Sequence, residues 1–144
     1  MVRTVVRLAK IMEIVLGEKN LTVNQFRMLT FIEDGAPPLA ELTRRLVMKQ
    51  PNVSVLIDGL VDRDLAVRER DPADGRRRQL RLTRTGLEVL REAEAACDAA
   101  LEYLLVRAGE PKRPVEGLAA WARVLDRVAV DSLRTILQES GDVS

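Results

Sequence analysis

The sequence predicts a mainly α-helical chain with one small β-hairpin, and three observations lead to this fold class. Most of the 144 residues belong to segments whose apolar side chains recur at helical spacing. Two short segments, residues 66–70 and 79–82, instead show partial alternation around turn residues. Apolar residues make up 47% of the chain, which is enough to build a core. Because a domain has roughly 100 to 200 residues, we expect a single domain over residues 1–144.

The first two predicted helices have recognisable ends. Residues 2–17 form the first, and its apolar residues cover more than one side, which indicates burial against a partner. Gly17 fits a C-terminal stop. The second helix starts after Thr22, which has capping-box spacing to Gln25. It ends at residues 35–38, because proline disfavours helix at the residue before it.

A helix-turn-helix pattern follows. Residues 39–47 form a short third helix, and after a three-residue turn Gln50 and Pro51 open a fourth, since proline is tolerated in a first helical turn. The inward stripe of the fourth helix is Val53, Leu56, Ile57, Leu60 and Val61. Small polar residues lie at its exposed start, and two short helices joined by a tight turn in this way form a helix-turn-helix pattern.

A basic hairpin comes next. The segment between its two strands contains Asp-Pro and Asp-Gly turn signals and then three arginines. Residues 66–84 carry seven arginines against three acidic residues, a net charge of +4, whereas residues 85–144 carry a net charge of −4. The overall net charge of +1 therefore conceals a basic hairpin suited to phosphates and an acidic helical frame.

Two long helices complete the chain. Thr83 is predicted to cap a helix over residues 84–108, and a loop with two prolines separates it from a last helix over residues 115–139. At ~1.5 Å per residue each helix is about 37 Å long, too long for a small core to cover. We expect residues 1–20 and 84–144 to be the dimerisation helices of an intertwined homodimer, the alternative being an intramolecular bundle.

Composition excludes most enzyme chemistry. The chain has no His and one Cys, so it lacks a His-based triad, imidazole metal ligands, a thiolate cluster and an internal disulfide. It has no Gly-rich phosphate cradle. We therefore expect no enzyme, no cofactor and no metal. No apolar stretch approaches the ~20 residues that span a bilayer, and no signal peptide is recognisable, so we expect a cytoplasmic protein with no membrane partner.

The order of the predicted elements, and the sequences of two segments, resemble the MarR family of dimeric winged-helix transcription regulators. The two segments are LAELTRRLVMKQPNVSVLIDGLVDRDLAV, residues 39–67, and RERDPADGRRRQLRLTRTG, residues 68–86. The resemblance in element order covers nearly the whole chain. It implies that residues 21–83 form a winged helix-turn-helix DNA-binding lobe. It also implies a homodimeric repressor that binds a pseudo-palindromic DNA duplex and responds to a small-molecule effector.

The resemblance also assigns the recognition helix, to residues 50–64. Its base-facing residues would be Gln50, Asn52 and Ser54, and Lys49 would contact phosphate. Gln and Asn can bond adenine through two hydrogen bonds in the major groove, and Ser suits either base type. Solvation or capping in the first turn is the alternative for Asn52 and Ser54.

In the family the hairpin is the wing, which usually carries Asp-Arg-Arg before its second strand. Here that position is occupied by Asp74, Gly75 and Arg76, so the first arginine is missing. The resemblance assigns Asp74 to orienting a neighbouring arginine and Arg76 to the minor groove, with Arg77 as the alternative probe. Two further wing arginines would hold phosphates, Arg70 and Arg78. The alternative for each is a solvated hairpin.

Four positions depart from the family pattern. Val55 and Gly59 stand where the family often has basic residues, Val47 replaces the usual Gly of the turn, and Asp64 replaces a Gly that ends the recognition helix. The neutral recognition helix would then depend on the wing for electrostatic affinity. These departures motivate an alternative function, a protein-interaction module that kept the winged-helix fold and lost operator reading.

Cys97 and Arg27 have two interpretations each. Some family members sense oxidants through a cysteine near the N-terminal helix, but Cys97 lies mid-way along a long helix among alanines, which favours packing over a redox sensor. Arg27 is an isolated cation in an apolar helix, either solvated or paired with an effector carboxylate. No residue marks the effector site, which stays unassigned.

Overall fold

The computed structural model describes residues 2–35, 38–70, 78–107, 109, 116–118 and 120–121. Within these ranges the chain is mostly helical with one two-stranded hairpin, which confirms the predicted fold class. The elements are α1 (Val2–Glu18), α2 (Val23–Glu33), α3 (Leu39–Leu46), α4 (Gln50–Asp62), β1 (Ala66–Arg70), β2 (Arg78–Leu82) and α5 (Arg84–Arg107). The chain divides into two compact units, Met1–Ala100 and Leu101–Ser144. Residues 116–118 and 120–121 are helical, and the rest of the predicted last helix lies outside the described residues.

Three helices end in the same backbone motif, with a left-handed residue just beyond the helix. At the end of α4 the Leu65 N–H donates to the Leu60 carbonyl and the Asp64 N–H to the Val61 carbonyl, both at 2.9 Å. This pair of bonds is the Schellman motif. The left-handed residues of the three helices α1, α3 and α4 are Asn20, Val47 and Asp64, with φ of 55°, 56° and 55°.

The sequence located two of these three ends. Val47 and Asp64 occupy the left-handed positions where glycines were expected, at a cost for a residue with a Cβ of roughly 1 to 2 kcal/mol, smaller for Asp. The prediction that Gly17 stops the first helix is wrong. Gly17 lies inside α1, and the chain turns at Asn20 because asparagine also tolerates left-handed geometry.

The start of α2 is the predicted capping box. The Gln25 N–H donates to Thr22 Oγ1 at 3.1 Å, and the Thr22 N–H donates to Gln25 Oε1 at 2.9 Å. Each of these two backbone donors, which have no partner inside the helix, is thus satisfied by a side chain three residues away in the sequence. The local sequence signal therefore fixes where α2 begins.

The core of the first unit lies between the helix-turn-helix, α2 and the first half of α5. Its fully buried side chains come from each of these elements: Met28, Leu29, Leu42, Val53, Leu60 and Leu90. The predicted inward stripe of α4 is confirmed, since Val53, Ile57 and Leu60 are buried while Leu56 and Val61 pack partly buried against the core. This packing leaves the opposite side of α4 facing outward.

The hairpin pairs β1 and β2 in antiparallel register from Ala66 opposite Leu82 to Arg70 opposite Arg78. Ala66 is buried and the rest of β1 is exposed, so the hairpin extends away from the core. Its tip, residues 71–77, lies outside the described residues. That tip includes the predicted wing residues Asp74, Arg76 and Arg77.

The hairpin leads directly into α5 through a close backbone contact. Thr83 Oγ1 accepts the Gly86 N–H at 2.9 Å, which confirms it as the helix cap, and its hydroxyl donates to the Asp64 carbonyl at 2.5 Å. Gly86 is buried against the Leu65 carbonyl, and a Cβ at Gly86 would lie 1.8 Å from that oxygen. The end of α4 and the start of α5 can approach this closely only because residue 86 lacks a side chain.

Candidate nucleic-acid interface

The first turns of α4 present the side chains predicted to face bases. Gln50 and Asn52 are exposed and Ser54 is partly buried. Lys49 is the cap residue of α4, and no side chain caps this helix. The side chains of Gln50, Asn52 and Ser54 form no hydrogen bond within the part of the chain that the structure describes. Their donors and acceptors are therefore available to a partner. The capping alternative for Asn52 and Ser54 is therefore not what this helix end uses.

Two predicted phosphate-binding cations, Lys49 and Arg70, are exposed. Neither forms an ion pair or hydrogen bond with the side chains of the described ranges, whereas Arg45, Arg81 and Arg91 are all paired with glutamates. Lys49 precedes α4 and Arg70 ends β1, so each is attached to an element of the helix-turn-helix or wing. The Arg78 backbone lies opposite Arg70 in the strand register.

An ion pair that sequence reasoning missed joins the recognition helix to the wing. Arg68 of β1 pairs with the carboxylate of Asp58 on α4. Asp58 belongs to the outward side of α4, where a free carboxylate would repel DNA phosphates, and Arg68 offsets that charge. The partners are ten residues apart across the α4–β1 connection, and no spacing rule marks such a contact in the sequence.

Arg27 is partly buried and bonded within the chain, so it is not the fully solvated cation of the first interpretation, and its pairing with an effector carboxylate stays a prediction. Its Nη2 donates to the Arg45 carbonyl at 2.7 Å, and its guanidinium carbon lies 5.9 Å from the centre of the Phe31 ring. Burial lowers the pKa of Arg27. The arginine thus satisfies a carbonyl of the last turn of α3, which would otherwise have no helical partner.

An open groove of about 460 Å³ lies between the end of α2, the hairpin and the first turn of α5. Its apolar lining is Ile32, Leu80, Leu82 and Leu87. Most of its charged lining is already paired, because Arg81 bonds Glu69 at 3.2 Å and Glu33 bonds Arg91 of α5. The groove therefore offers one unpaired cation, Arg70, among the residues that line it.

Cys97 has the environment of a packing residue. It lies partly buried against the core. Burial, together with the negative charge of Asp98, raises the pKa of the Cys97 thiol. A raised pKa lowers the fraction of reactive thiolate at neutral pH, which favours the packing interpretation over the redox sensor.

The described residues contain neither a metal-ligating cluster nor a membrane-spanning helix. No three His, Cys, Asp or Glu side chains come together there in a way that would hold a metal ion. No helix within the described ranges combines the length and apolar character needed to cross a membrane.

Sequence comparisons match the helix-turn-helix part of the chain. A model of the MarR family matches residues 19–77. The chain is also 34% identical over 101 residues to YhbI of Bacillus subtilis (strain 168), an uncharacterized HTH-type transcriptional regulator. That match covers 69% of this chain and 62% of YhbI, so the chain spans less than two thirds of this relative.

Several solved structures have the same fold as this chain over most of its residues. CouR from Rhodococcus jostii RHA1 bound to p-coumaroyl-CoA is similar with a TM-score of 0.67 and 21% identity, covering 85% of this chain and 86% of CouR. The transcriptional repressor CouR bound to a 23-mer DNA duplex is similar with a TM-score of 0.62 and 27% identity, covering 83% of this chain and 87% of that one. With the helix-turn-helix and the hairpin, these matches place residues 19–77 in the MarR family of transcriptional regulators and show that most of the chain has the fold of solved members.

Proposed function

We propose that the protein is a sequence-specific DNA-binding repressor that acts as a homodimer on a pseudo-palindromic duplex. One observation carries this proposal: the exposed first turn of α4 bears amides without hydrogen-bond partners in the described chain, with the unpaired cation Lys49 at its start and the unpaired cation Arg70 on the hairpin. Amides in the major groove read base edges, and cations beside them hold phosphates. The repressor CouR, which is 27% identical in sequence to this chain and whose structure was solved with a DNA duplex, supports this function.

The residues would divide the work of recognition by their position. Gln50, Asn52 and Ser54 would face bases in the major groove. Phosphates would be held by Lys49, Arg70 and Arg78. The wing tip would reach the adjacent minor groove with Asp74 orienting a neighbouring arginine and Arg76 or Arg77 as the probe.

A homodimer would cover apolar surface that each unit exposes by itself. On α1, Val2, Val5, Val6 and Ala9 recur at helical spacing and are exposed. In the second unit, large apolar side chains are exposed as well: Tyr103, Leu104, Val106, Leu118 and Trp121. Exposed contiguous apolar strips mark interaction surfaces. We propose that residues 1–20 and 84–144 supply the dimerisation helices of one domain over residues 1–144, and residues 21–83 the DNA-binding lobe.

A small-molecule effector would act on this assembly by changing the spacing of the two recognition helices. CouR, which has the same fold, binds p-coumaroyl-CoA. Coupling between an effector and DNA in such a protein is typically about 1 to 3 kcal/mol, a change in operator affinity of roughly five- to 150-fold. A regulator that acts on the chromosome works in the cytoplasm, which is the location we propose.

Replacing Arg70 by alanine is expected to weaken binding to a selected duplex by about tenfold or more at 50 mM salt. Each phosphate contact contributes about 0.9 to the slope of log affinity against log salt, so a dimer that loses two contacts should lose about 2 from that slope. Arg81→Ala is the matched control, because it removes the same charge from the same hairpin but from a side chain already paired with Glu69. Fluorescence anisotropy across a salt series measures both variants.

Equal slopes for the Arg70→Ala variant and the wild-type protein would contradict the phosphate assignment. If the wild-type protein selects no duplex from a randomised library at low salt, the DNA-binding function itself fails. That second result would favour the alternative of a protein-interaction module that kept the winged-helix fold.

A further inference from the structure

The centre of the outward side of α4 is occupied by an apolar residue, Val55. With about 3.6 residues per helical turn, residue 55 points away from the side that buries Val53, Ile57 and Leu60. Val55 is 70% exposed, although valine is among the residues most often buried in proteins. Nothing in the described core covers it.

The surroundings of Val55 carry little free charge. One turn away along the helix on either side lie Pro51 and Gly59, and a Cβ at Gly59 would meet nothing within 4 Å. The carboxylate of Asp58, three residues on, is held by Arg68. Val55 therefore stands in an open and locally uncharged strip of the recognition helix, next to the unpartnered amide of Asn52.

If this strip enters the major groove of DNA, few of the groups that it can contact there are apolar. In the major groove the base edges present hydrogen-bond donors and acceptors, and the apolar group among them is the C5-methyl group of thymine. We propose that Val55 is a specificity-determining residue that packs its isopropyl group against a thymine methyl in each half-site. This inference rests on the proposed function, in which the first turns of α4 enter the major groove.

The packing has a consequence for operator sequence. A valine side chain cannot form hydrogen bonds with the donors and acceptors of a G·C pair that it would cover. Because these groups would be left without partners, binding to such a site is disfavoured. Val55 would therefore select for thymine at one position per half-site, beside the bases contacted by the amide side chains of Gln50 and Asn52. The specificity of this helix would come from shape as well as hydrogen bonds.

The test replaces thymine by deoxyuridine, which lacks only the C5-methyl group. Duplexes are first selected from a randomised library by the wild-type protein, and each thymine of the best duplex is then replaced in both half-sites. We expect one position at which deoxyuridine weakens wild-type binding about tenfold, some threefold per half-site. The affinity of the Val55→Ala variant should be insensitive to the same replacement, because that variant has lost the group that contacts the methyl.

Val47→Ala is the matched control. Val47 is also an exposed valine, at 53%, but it lies in the turn before α4. This variant should keep the full sensitivity to deoxyuridine. Circular dichroism spectra of both variants verify that they are folded, which is expected because both side chains are exposed.

Two results overturn the inference while leaving DNA binding intact. Either no thymine of a tightly bound duplex is sensitive to deoxyuridine, or the Val55→Ala variant is as sensitive as the wild-type protein. Failure of the proposed function looks different, because the wild-type protein would then enrich no duplex at all, and the inference would fall with it.

Discussion

The Gly86→Ala variant is expected to be less stable than the wild-type protein by about 3 kcal/mol or more. A Cβ at this position would lie 1.8 Å from the Leu65 carbonyl oxygen, and the obstacle is the backbone that follows α4, which cannot rotate away as a side chain can. Overpacking a core typically costs about 1 to 3 kcal/mol when side chains can adjust, so a clash with backbone should reach or exceed that range. Urea unfolding followed by circular dichroism measures the change in the free energy of unfolding.

Gly59→Ala provides the control for the same chemical change. Gly59 lies inside α4, and a Cβ there meets nothing within 4 Å. Because glycine is less favourable than alanine in a helix by about 1 kcal/mol, this variant should be more stable than the wild-type protein. If both variants had the same stability, the close contact between α5 and Leu65 would be wrong.

The Val6→Asp variant is expected to raise the dissociation constant of the homodimer by about 100-fold or more, or about 3 kcal/mol. Val6 is 62% exposed in the single chain, so it contributes little to the core, but it belongs to the exposed apolar strip of α1. A carboxylate buried without a partner at an interface costs several times what a buried apolar group gains. Sedimentation at micromolar concentration should therefore find a monomer. The affinity of the variant for a duplex with two half-sites should fall as the dimer is lost.

Thr4→Asp is the control for adding a charge to the same helix. Thr4 is exposed and lies on another side of α1 than Val2, Val5 and Val6. Its substitution should leave the protein dimeric. A Val6→Asp protein that sediments as a dimer with unchanged affinity would contradict the assignment of α1 to the interface.

The sequence was informative where the structure depends on neighbours in the chain. The Thr22 capping box, the inward stripe of α4 and the Thr83 cap all involve residues within a few positions of each other, and all were predicted. The resemblance to the MarR family located the left-handed residues Val47 and Asp64, at positions where the family usually has glycine. Local rules failed at Gly17, because Asn20 three residues later adopts the left-handed geometry that ends this helix.

Contacts between distant segments could not be predicted in the same way. The acceptor of Arg27 is a carbonyl 18 residues further on, and its existence depends on how α2 packs on α3. The Arg68 and Asp58 pair and the approach of Gly86 to Leu65 likewise depend on the angle between elements. A periodicity argument identifies which side of a helix is buried, but it carries no information about what that side meets.

The candidate site was predicted to a similar extent. The exposure of Gln50, Asn52, Lys49 and Arg70 follows from the helix period and the hairpin alternation, so the sequence could place them on the surface. It could not reveal that Lys49 and Arg70 would be left unpaired while Arg68 would be engaged by Asp58. Which cations are available to phosphate is a tertiary property.

The most direct test of the account is the stoichiometry and sequence preference of DNA binding by the wild-type protein. Fluorescence anisotropy with a duplex selected from a randomised library, titrated at a concentration well above the dissociation constant, should reach saturation at two chains per duplex. The selected sequences should contain two inverted half-sites with centres about 10 bp apart, one helical turn of DNA. Saturation at one chain per duplex, or equal affinity for selected and scrambled duplexes, would contradict the account.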